Sequence, residues 1–311
     1  MTRTPVMNEV MNVFDRAAVR RHRERAAAGF GGHDFLIGEV GERLADRLDD
    51  VTRRFPRALD LGCHGGQMGR LLRGRGGIET LFQCDLSPQM AGMARRAGSL
   101  CLAASEEFLP FAGAYFDLVL SCLSLHWVND LPGALVQVRR ALKPDGLFLA
   151  AMLGGETLKE LRAVLAGSEI AEEGGLSPRV SPFADVRDAG NLLGRAGFAL
   201  PVVDVDTVVV SYADPLELMT DLRGMGETNA VTERRKGLSR RATLMNAAAR
   251  YRDQFAGADG RIPATFQVIY LTAWAPHPSQ QKPLAPDSAR ARISDALNTT
   301  EIPAGEKAKP R

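Results

Sequence analysis

From Arg57 to Met152 short apolar runs alternate with helical stretches, and this alternation constrains the fold more than any other feature of the chain. Strands are expected at Arg57–Leu61, Thr80–Cys84, Leu100–Ala103, Phe116–Ser121 and Leu147–Met152. Helices are expected between most of them, at Gln67–Leu72, Ser87–Arg96 and Leu131–Leu142. The last helix runs into Lys143-Pro144-Asp145-Gly146, where proline and glycine stop a helix and turn the chain. Repeated βα units predict an α/β fold, with a doubly wound, mostly parallel sheet covered on both faces.

Around this segment the 311 residues allow one large domain with additions, or two modest ones. The reading adopted is an N-terminal helical extension over 1–55, a main domain over 56–275, and a disordered tail over 279–311. Helical insertions covering a substrate are expected at about 155–200 and 214–256. Within these, helices are expected at Glu156–Ala166, Phe183–Ala196, Asp214–Gly224 and Leu238–Phe255, and strands at Val202–Tyr212 and Thr265–Trp274. The N-terminal part reads as two helices parted near Gly29-Phe30-Gly31-Gly32, the first crowded with Arg16, Arg20, Arg21, Arg23 and Arg25. A solvated helix face is the expected use of those arginines, ahead of an acidic partner.

Net charge is only +2, which argues against bulk nucleic-acid binding. No apolar run approaches the ~18–20 residues of a membrane span. The first residues lack the apolar core of a secretory signal, and Glu9, Asp15 and Glu24 among the arginines argue against a transit peptide. A bacterial cytoplasmic address is the expectation. Cys63, Cys84, Cys101 and Cys122 each fall on or beside a different strand, yet no C-x-x-C pair exists. They read as small buried hydrophobes rather than metal ligands or disulfides.

The first strand ends in Asp60-Leu61-Gly62-Cys63-His64-Gly65-Gly66, and Asp85 ends the second. A glycine turn between strand and helix lets the backbone approach a ligand, and a carboxylate at the next strand end accepts from ribose hydroxyls. The pattern binds a nucleoside. It is not the dinucleotide fingerprint, because His64 stands where the second glycine belongs, and no G-K-S/T follows as a P-loop requires.

What remains resembles the class I S-adenosylmethionine (SAM) methyltransferases across 57–152, including Leu109-Pro110-Phe111, Phe116-Asp117-Leu118-Val119 and Leu142-Lys143-Pro144-Asp145-Gly146. The resemblance implies a Rossmann-like, seven-stranded sheet and SAM as cofactor. Asp60, Gly62 and Gly66 would shape its methionine end, with the His64 side chain brought near the ligand. Asp85 would take the ribose. Ser105 stands where such proteins place an aspartate against the adenine amino group, so Ser105 itself or Glu106 would serve there. Ser121, Ser124, His126, Trp127, Asn129, Gly154, Gly155 and Glu156 stand at the carboxyl ends of the fourth and fifth strands, where ligands sit in such sheets. His126 is a base or a structural hydrogen-bonding group, and Trp127 a substrate wall or a packing residue. Glu156 is a partner for a guanidinium or a helix cap.

Leu123-Ser124-Leu125-His126-Trp127-Val128-Asn129-Asp130-Leu131-Pro132 is more particular, and its His-Trp is shared with the methyltransferases that act on malonyl carrier protein. With Glu107–Phe111, Ala151–Leu158, Ser181–Phe183, Leu192–Phe198 and Asp221–Asn229, the chain resembles the mitochondrial complex I assembly factors of methyltransferase fold and their bacterial relatives. That resemblance runs from about residue 10 to 275. It implies either methyl transfer, to a protein such as a respiratory complex I subunit or to a small or carrier-bound acid, or hydroxylation of an arginine in such a subunit. A non-enzymatic assembly scaffold is the third reading. The residues themselves supply no metal site for hydroxylation: of five histidines the only H-x-E is His22-Arg23-Glu24, which reads as a surface accident.

Overall fold

The computed structural model describes residues 12–281, 295 and 297–300, so the expected tail over 279–311 lies almost wholly outside the described residues. Seven strands form one sheet in the order β3-β2-β1-β4-β5-β7-β6: β1 Arg57–Leu61, β2 Thr80–Asp85, β3 Leu100–Ala103, β4 Phe116–Cys122, β5 Leu142–Leu153, β6 Ala199–Tyr212 and β7 Ile262–Trp274. β1 to β5 pair in parallel, and β7 enters antiparallel between β5 and β6. The doubly wound, mostly parallel architecture expected from the βα alternation is the one found.

Central strands are buried on both faces and therefore read as near-continuous apolar runs: Leu118, Val119 and Leu120 of β4 are all fully buried. Two apolar clusters fill the space on either side, one holding Leu44, Leu120 and Tyr251, the other Leu59, Val119 and Phe148. β6, at one edge of the sheet, alternates instead, with Val202, Val205 and Val209 exposed. Asp204 and Asp206 interrupt that edge and pair with Arg47, at 2.7 Å, and Arg43 of the second helix. Charges so placed blunt an edge that would otherwise recruit another strand.

Helices begin where the sequence supplies caps. Asp15 caps α1 (Arg16–Ala26), Ser87 with Pro88 caps α4 (Pro88–Arg96), Asp130 caps α5 (Leu131–Ala141), and Asp214 with Pro215 caps α8 (Pro215–Gly224). α2 (Phe35–Asp49) buries Ile37, Val40, Leu44 and Leu48 on one face. α3 (Gln67–Leu71) follows the glycine turn, α6 (Lys159–Glu173) and α9 (Arg241–Phe255) pack on one another, and α7 (Val186–Arg195) lies against β6.

Among the boundaries that differ from the expected ones by a few residues, two show clear local reasons. α6 starts three residues later than Glu156, because Leu158 takes a left-handed φ of 54° and Leu158 N–H donates to Thr265 O. The helix then runs on until Gly174, left-handed at φ 70°, stops it. β5 starts at Leu142 because that residue pairs with Phe116 before an irregularity shifts the register. At the other end of the chain, Phe14 bridges Val231, and Asp15 N–H donates to Ala230 O at 2.8 Å, so the start of α1 is tied to the segment after α8.

The α2 contact with the sheet generates a prediction. Leu44 is fully buried, so Leu44→Ala should cost about 2–5 kcal/mol through lost transfer energy and the cavity left behind. Urea unfolding should show a lower midpoint at unchanged slope; an unmoved midpoint would refute the packing assignment.

Candidate functional site

The glycine turn has the backbone its sequence demands. Gly62, His64 and Gly66 all take positive φ, at 75°, 48° and 88°. A side chain at Gly62 would collide with Ser124, whose Oγ lies 2.1 Å from where the Cβ would sit. His64 carries the turn because histidine tolerates this region better than most residues. Its ring stacks on Phe30, and Nε2 donates toward the carbonyl oxygens of Cys122 and Leu123 at 3.3 and 3.2 Å. Burial, reinforced by the positive charge of Arg23, lowers the His64 pKa and keeps the ring neutral. The side chain therefore packs into the protein rather than standing over a ligand.

Asp60 is buried behind the turn, where Gln83 Nε2 donates to it at 2.7 Å. Burial pushes its carboxyl up to about 7, the Gln83 bond opposing. Ser121 is structural: its hydroxyl donates to Leu61 O at 2.8 Å and ties β4 to β1.

Asp85 and Glu106 are both fully buried, and both are engaged by arginines of α1. Asp85 Oδ1 accepts from Ser87 N–H at 2.7 Å, and Oδ2 accepts from His64 N–H at 3.0 Å and Arg23 Nη1 at 3.1 Å. Arg23 Nη1 also donates to Glu106 Oε1 at 3.1 Å, and Nη2 to Ser124 Oγ at 2.9 Å. Arg16 bonds the other Glu106 oxygen, Ser105 Oγ at 3.4 Å and Trp127 O at 3.0 Å. Burial alone would raise the Glu106 pKa, but the charges of Arg16 and Arg23 and the Ser124 hydroxyl win and hold it at about 2. Burial likewise works against the Arg23 cation, and Asp85 and Glu106 more than offset it.

The expected solvated arginine face holds for Arg20, Arg21 and Arg25, which are exposed, and is corrected for Arg16 and Arg23. Arg23 is 1% exposed, and it falls in the stripe Val19–Arg23–Ala27, all buried, at the i, i+4 spacing of a core-facing helix side. That stripe was the signal available in the sequence.

Beside this cluster lies a cavity of about 420 Å³, within the usual range for small-ligand sites. Trp127, Glu227, His22, Leu36, Phe183 and Met219 are among its walls. Glu227 Oε2 accepts from His126 Nε2 at 3.0 Å and Trp127 Nε1 at 2.9 Å. Burial opposes its ionisation, yet His126 and Arg23 hold the Glu227 pKa below the usual carboxylate value. Trp127 both lines the cavity and packs in the core, braced edge-on by Phe14 at 5.3 Å. His126 stands behind the cavity wall, bonded to Glu227 and with its ring 5.8 Å from Phe183 and 5.5 Å from Trp127, so its placement is that of a positioning residue.

Glu156 is not part of the site: its side chain is exposed and pairs with Lys159 at 3.5 Å. Glu227 occupies the acidic position instead. Nor is His22 a surface accident, since it lines the cavity with Nδ1 donating to Thr228 O at 2.9 Å. The four cysteines are buried and unpaired, with the sulfurs of Cys63 and Cys101 3.6 Å apart.

Comparison with known proteins agrees with this architecture. A family model described as a methyltransferase domain matches residues 59–150. A Danio rerio protein named arginine-hydroxylase NDUFAF5, mitochondrial, is 47% identical over 92% of this chain and 89% of its own. A malonyl-[acyl-carrier protein] O-methyltransferase of Methylovorus sp. (strain MP688) is 36% identical over 91% of this chain and 98% of its own. The solved structure of Haemonchus contortus phosphoethanolamine N-methyltransferase 2 with S-adenosyl-L-methionine aligns at a TM-score of 0.51 and 18% identity, over 83% of this chain and 60% of that one, a likeness of fold. The expected bacterial cytoplasmic address is overturned here. The animal relatives, matched over more than nine tenths of the chain, are mitochondrial proteins.

The buried acids predict opposite pH behaviour. Asp60 titrates near 7 in the folded chain against an ordinary 3.8, so the stability it contributes is complete below pH 3.8 and lost as pH rises through 7. Asp60→Asn should therefore gain on the wild type as pH rises from about 4 to 7 and hold that gain above 7, by roughly 1.4 kcal/mol per pH unit at most. Glu106, at about 2 against 4.5, contributes stability above pH 4.5 that is lost toward pH 2, and Glu106→Gln should flatten that acid limb. Urea titrations across pH test both; parallel curves for variants and wild type would discard the assignments.

Proposed function

Because the chain belongs to the class I SAM-dependent methyltransferase superfamily, in the family of the NDUFAF5 proteins, we propose that it is a SAM-dependent methyltransferase-type enzyme linked to assembly of respiratory complex I, acting on a cationic side chain of a protein substrate. SAM, when bound, supplies a methyl group on a sulfonium, an electrophile that needs only a positioned and desolvated acceptor. The chain's acceptor set suits that cofactor. Gly62 lets the turn pass close against Ser124, where a Cβ would collide, Asp85 is the candidate ribose acceptor, and Glu106 with Ser105 would serve the adenine.

The observation that carries the choice of substrate is Glu227. Its carboxylate stands on the cavity wall with Oε2 spent on His126 and Trp127, and among the described residues no hydrogen bond reaches Oε1. A guanidinium fits that oxygen through a charge-assisted bond. A malonyl-type carboxylate would meet like charge there. Of the wall arginines, Arg179, Arg235 and Arg234 are paired with Glu169, Glu173 and Asp15, and Arg223 stands on the wall with no salt bridge among the described residues.

The division of labour follows. Glu227 orients the cation, and the Trp127 ring and the leucines of the cavity exclude water. His126 fixes Glu227 from behind, and the proton released from the acceptor nitrogen passes to the Glu227–His126 pair. A second reading, peptidyl-arginine hydroxylation, draws support from the higher identity to the proteins named arginine-hydroxylase, 47% against 36% for the named methyltransferase.

The test is to incubate the protein with SAM and the candidate complex I subunit, then weigh the arginine-containing peptides. A gain of CH₂ is expected. A gain of one oxygen would establish the second reading, and tight association with no gain a scaffold. Glu227→Gln should lower kcat/KM about 10- to 100-fold by removing one charge-assisted bond; unchanged kinetics would remove Glu227 from the site.

A further inference from the structure

The two acids that a nucleoside would address are already paired, and the partners come from the chain itself. Arg16 and Arg23 lie seven residues apart, two turns along one side of α1, and they reach Glu106 and Asp85 together. The seat for Arg23 is built. Its side chain is almost wholly buried, its guanidinium meets two carboxylates and the Ser124 hydroxyl, and Gly226, at φ 82°, brings the backbone after α8 close: a Cβ there would lie 3.4 Å from Arg23 Cα. Arg23 Nη2 also bonds the same Ser124 hydroxyl that lies against the Gly62 turn, so the guanidinium stands within the cofactor-type site rather than beside it.

Resting on the cofactor reading above, we propose that Arg23, seconded by Arg16, is an internal competitor for the SAM site, and that cofactor binds by displacing the α1 arginines from Asp85 and Glu106. A ribose hydroxyl can replace a guanidinium N–H at Asp85 as a donor, but it brings no positive charge, so the pair it displaces is the stronger one in a site shielded from water. The closed form is therefore the resting form, and the apparent affinity for cofactor is the intrinsic affinity scaled by the fraction of molecules with Arg23 released. Because the Arg23 side chain has no path to solvent in the closed form, its release requires α1 to shift. His22, the adjacent residue on α1, lines the substrate cavity, so the same shift changes the cavity wall. Cofactor binding thereby prepares the pocket for the second substrate.

The experiment is calorimetric titration of the full chain with S-adenosylhomocysteine, the product form of the cofactor, for wild type and Arg23→Met. Methionine keeps the apolar stem and removes the charge, while Arg16 continues to neutralise Glu106. The variant should bind at least tenfold more tightly. Equal or weaker binding by the variant, with the wild type also binding, would overturn the competition while leaving the cofactor reading intact. Binding by neither folded protein would overturn the cofactor reading itself, and the competition with it. Should the variant not fold, hydrogen exchange on the wild type answers the same question. Saturating ligand should reduce amide protection over residues 16–26, and unchanged or increased protection would overturn the proposal.

Discussion

The guanidinium of Arg23 between Asp85 and Glu106 is the contact on which the arrangement of this end of the sheet depends. Three charges withdrawn from water cost several kcal/mol each unless their geometry is close to ideal, and removing one partner leaves the others exposed to that full penalty. The cluster is consequently satisfied from many directions. Backbone N–H groups of His64 and Ser87 serve Asp85, Ser124 and Arg16 serve Glu106, and the turn at Gly62 gives Ser124 its room. The face α1 presents, the path of the glycine turn and the end of β4 all meet at this one set of charges, while backbone ties at Phe14 and Asp15 hold the start of the helix. Packing alone would leave α1 free to slide along its small apolar stripe of Ala18, Val19 and Ala26.

Beside the cluster, the cavity follows a different logic. Its walls are mainly apolar, and one carboxylate is held by two neutral-capable donors, the His126 ring and the Trp127 indole. Both donors come from the short segment after β4, and the carboxylate comes from the segment after α8, so two insertions into a standard sheet make the pocket between them. Fold and pocket are separable in this way. The sheet is shared with many methyltransferases, whereas the pocket belongs to residues that the sheet leaves unconstrained.

The sheet was legible because each central strand announces itself as an apolar run between turn residues, and because Asp60 to Gly66 and Asp85 fall at strand ends where small and acidic residues have a physical reason to be. Trp127 was legible for the same reason. Glu156 was misread because its position after β5 is correct in sequence, yet the turn at Leu158 leaves it facing solvent. Glu227 and Arg23 were not read as site residues because their partners lie 100 and 62 residues away, and only the i, i+4 stripe around Arg23 offered a local mark of burial. Charged residues on a helix are exposed so often that the stripe Val19–Arg23–Ala27 looked like an interruption of an apolar face, when it was the insertion of a cation into a site.

The ties between Phe14 and Val231, and between Asp15 and Ala230, also set an order in time. A ribosome delivers α1 at the outset, but the residues that hold the start of that helix in place arrive more than two hundred positions later. Strands β1 to β5 and the acids they carry are made well before then. For most of synthesis, the nascent chain can hold the parallel strands β1 to β5 while α1 has no docking ground, and closure of α1 over the acids waits on contacts more than two hundred residues apart. A chain truncated before residue 230 would carry the parallel strands β1 to β5, the glycine turn and both carboxylates, and it would lack both β7 and the clasp that holds α1 over them.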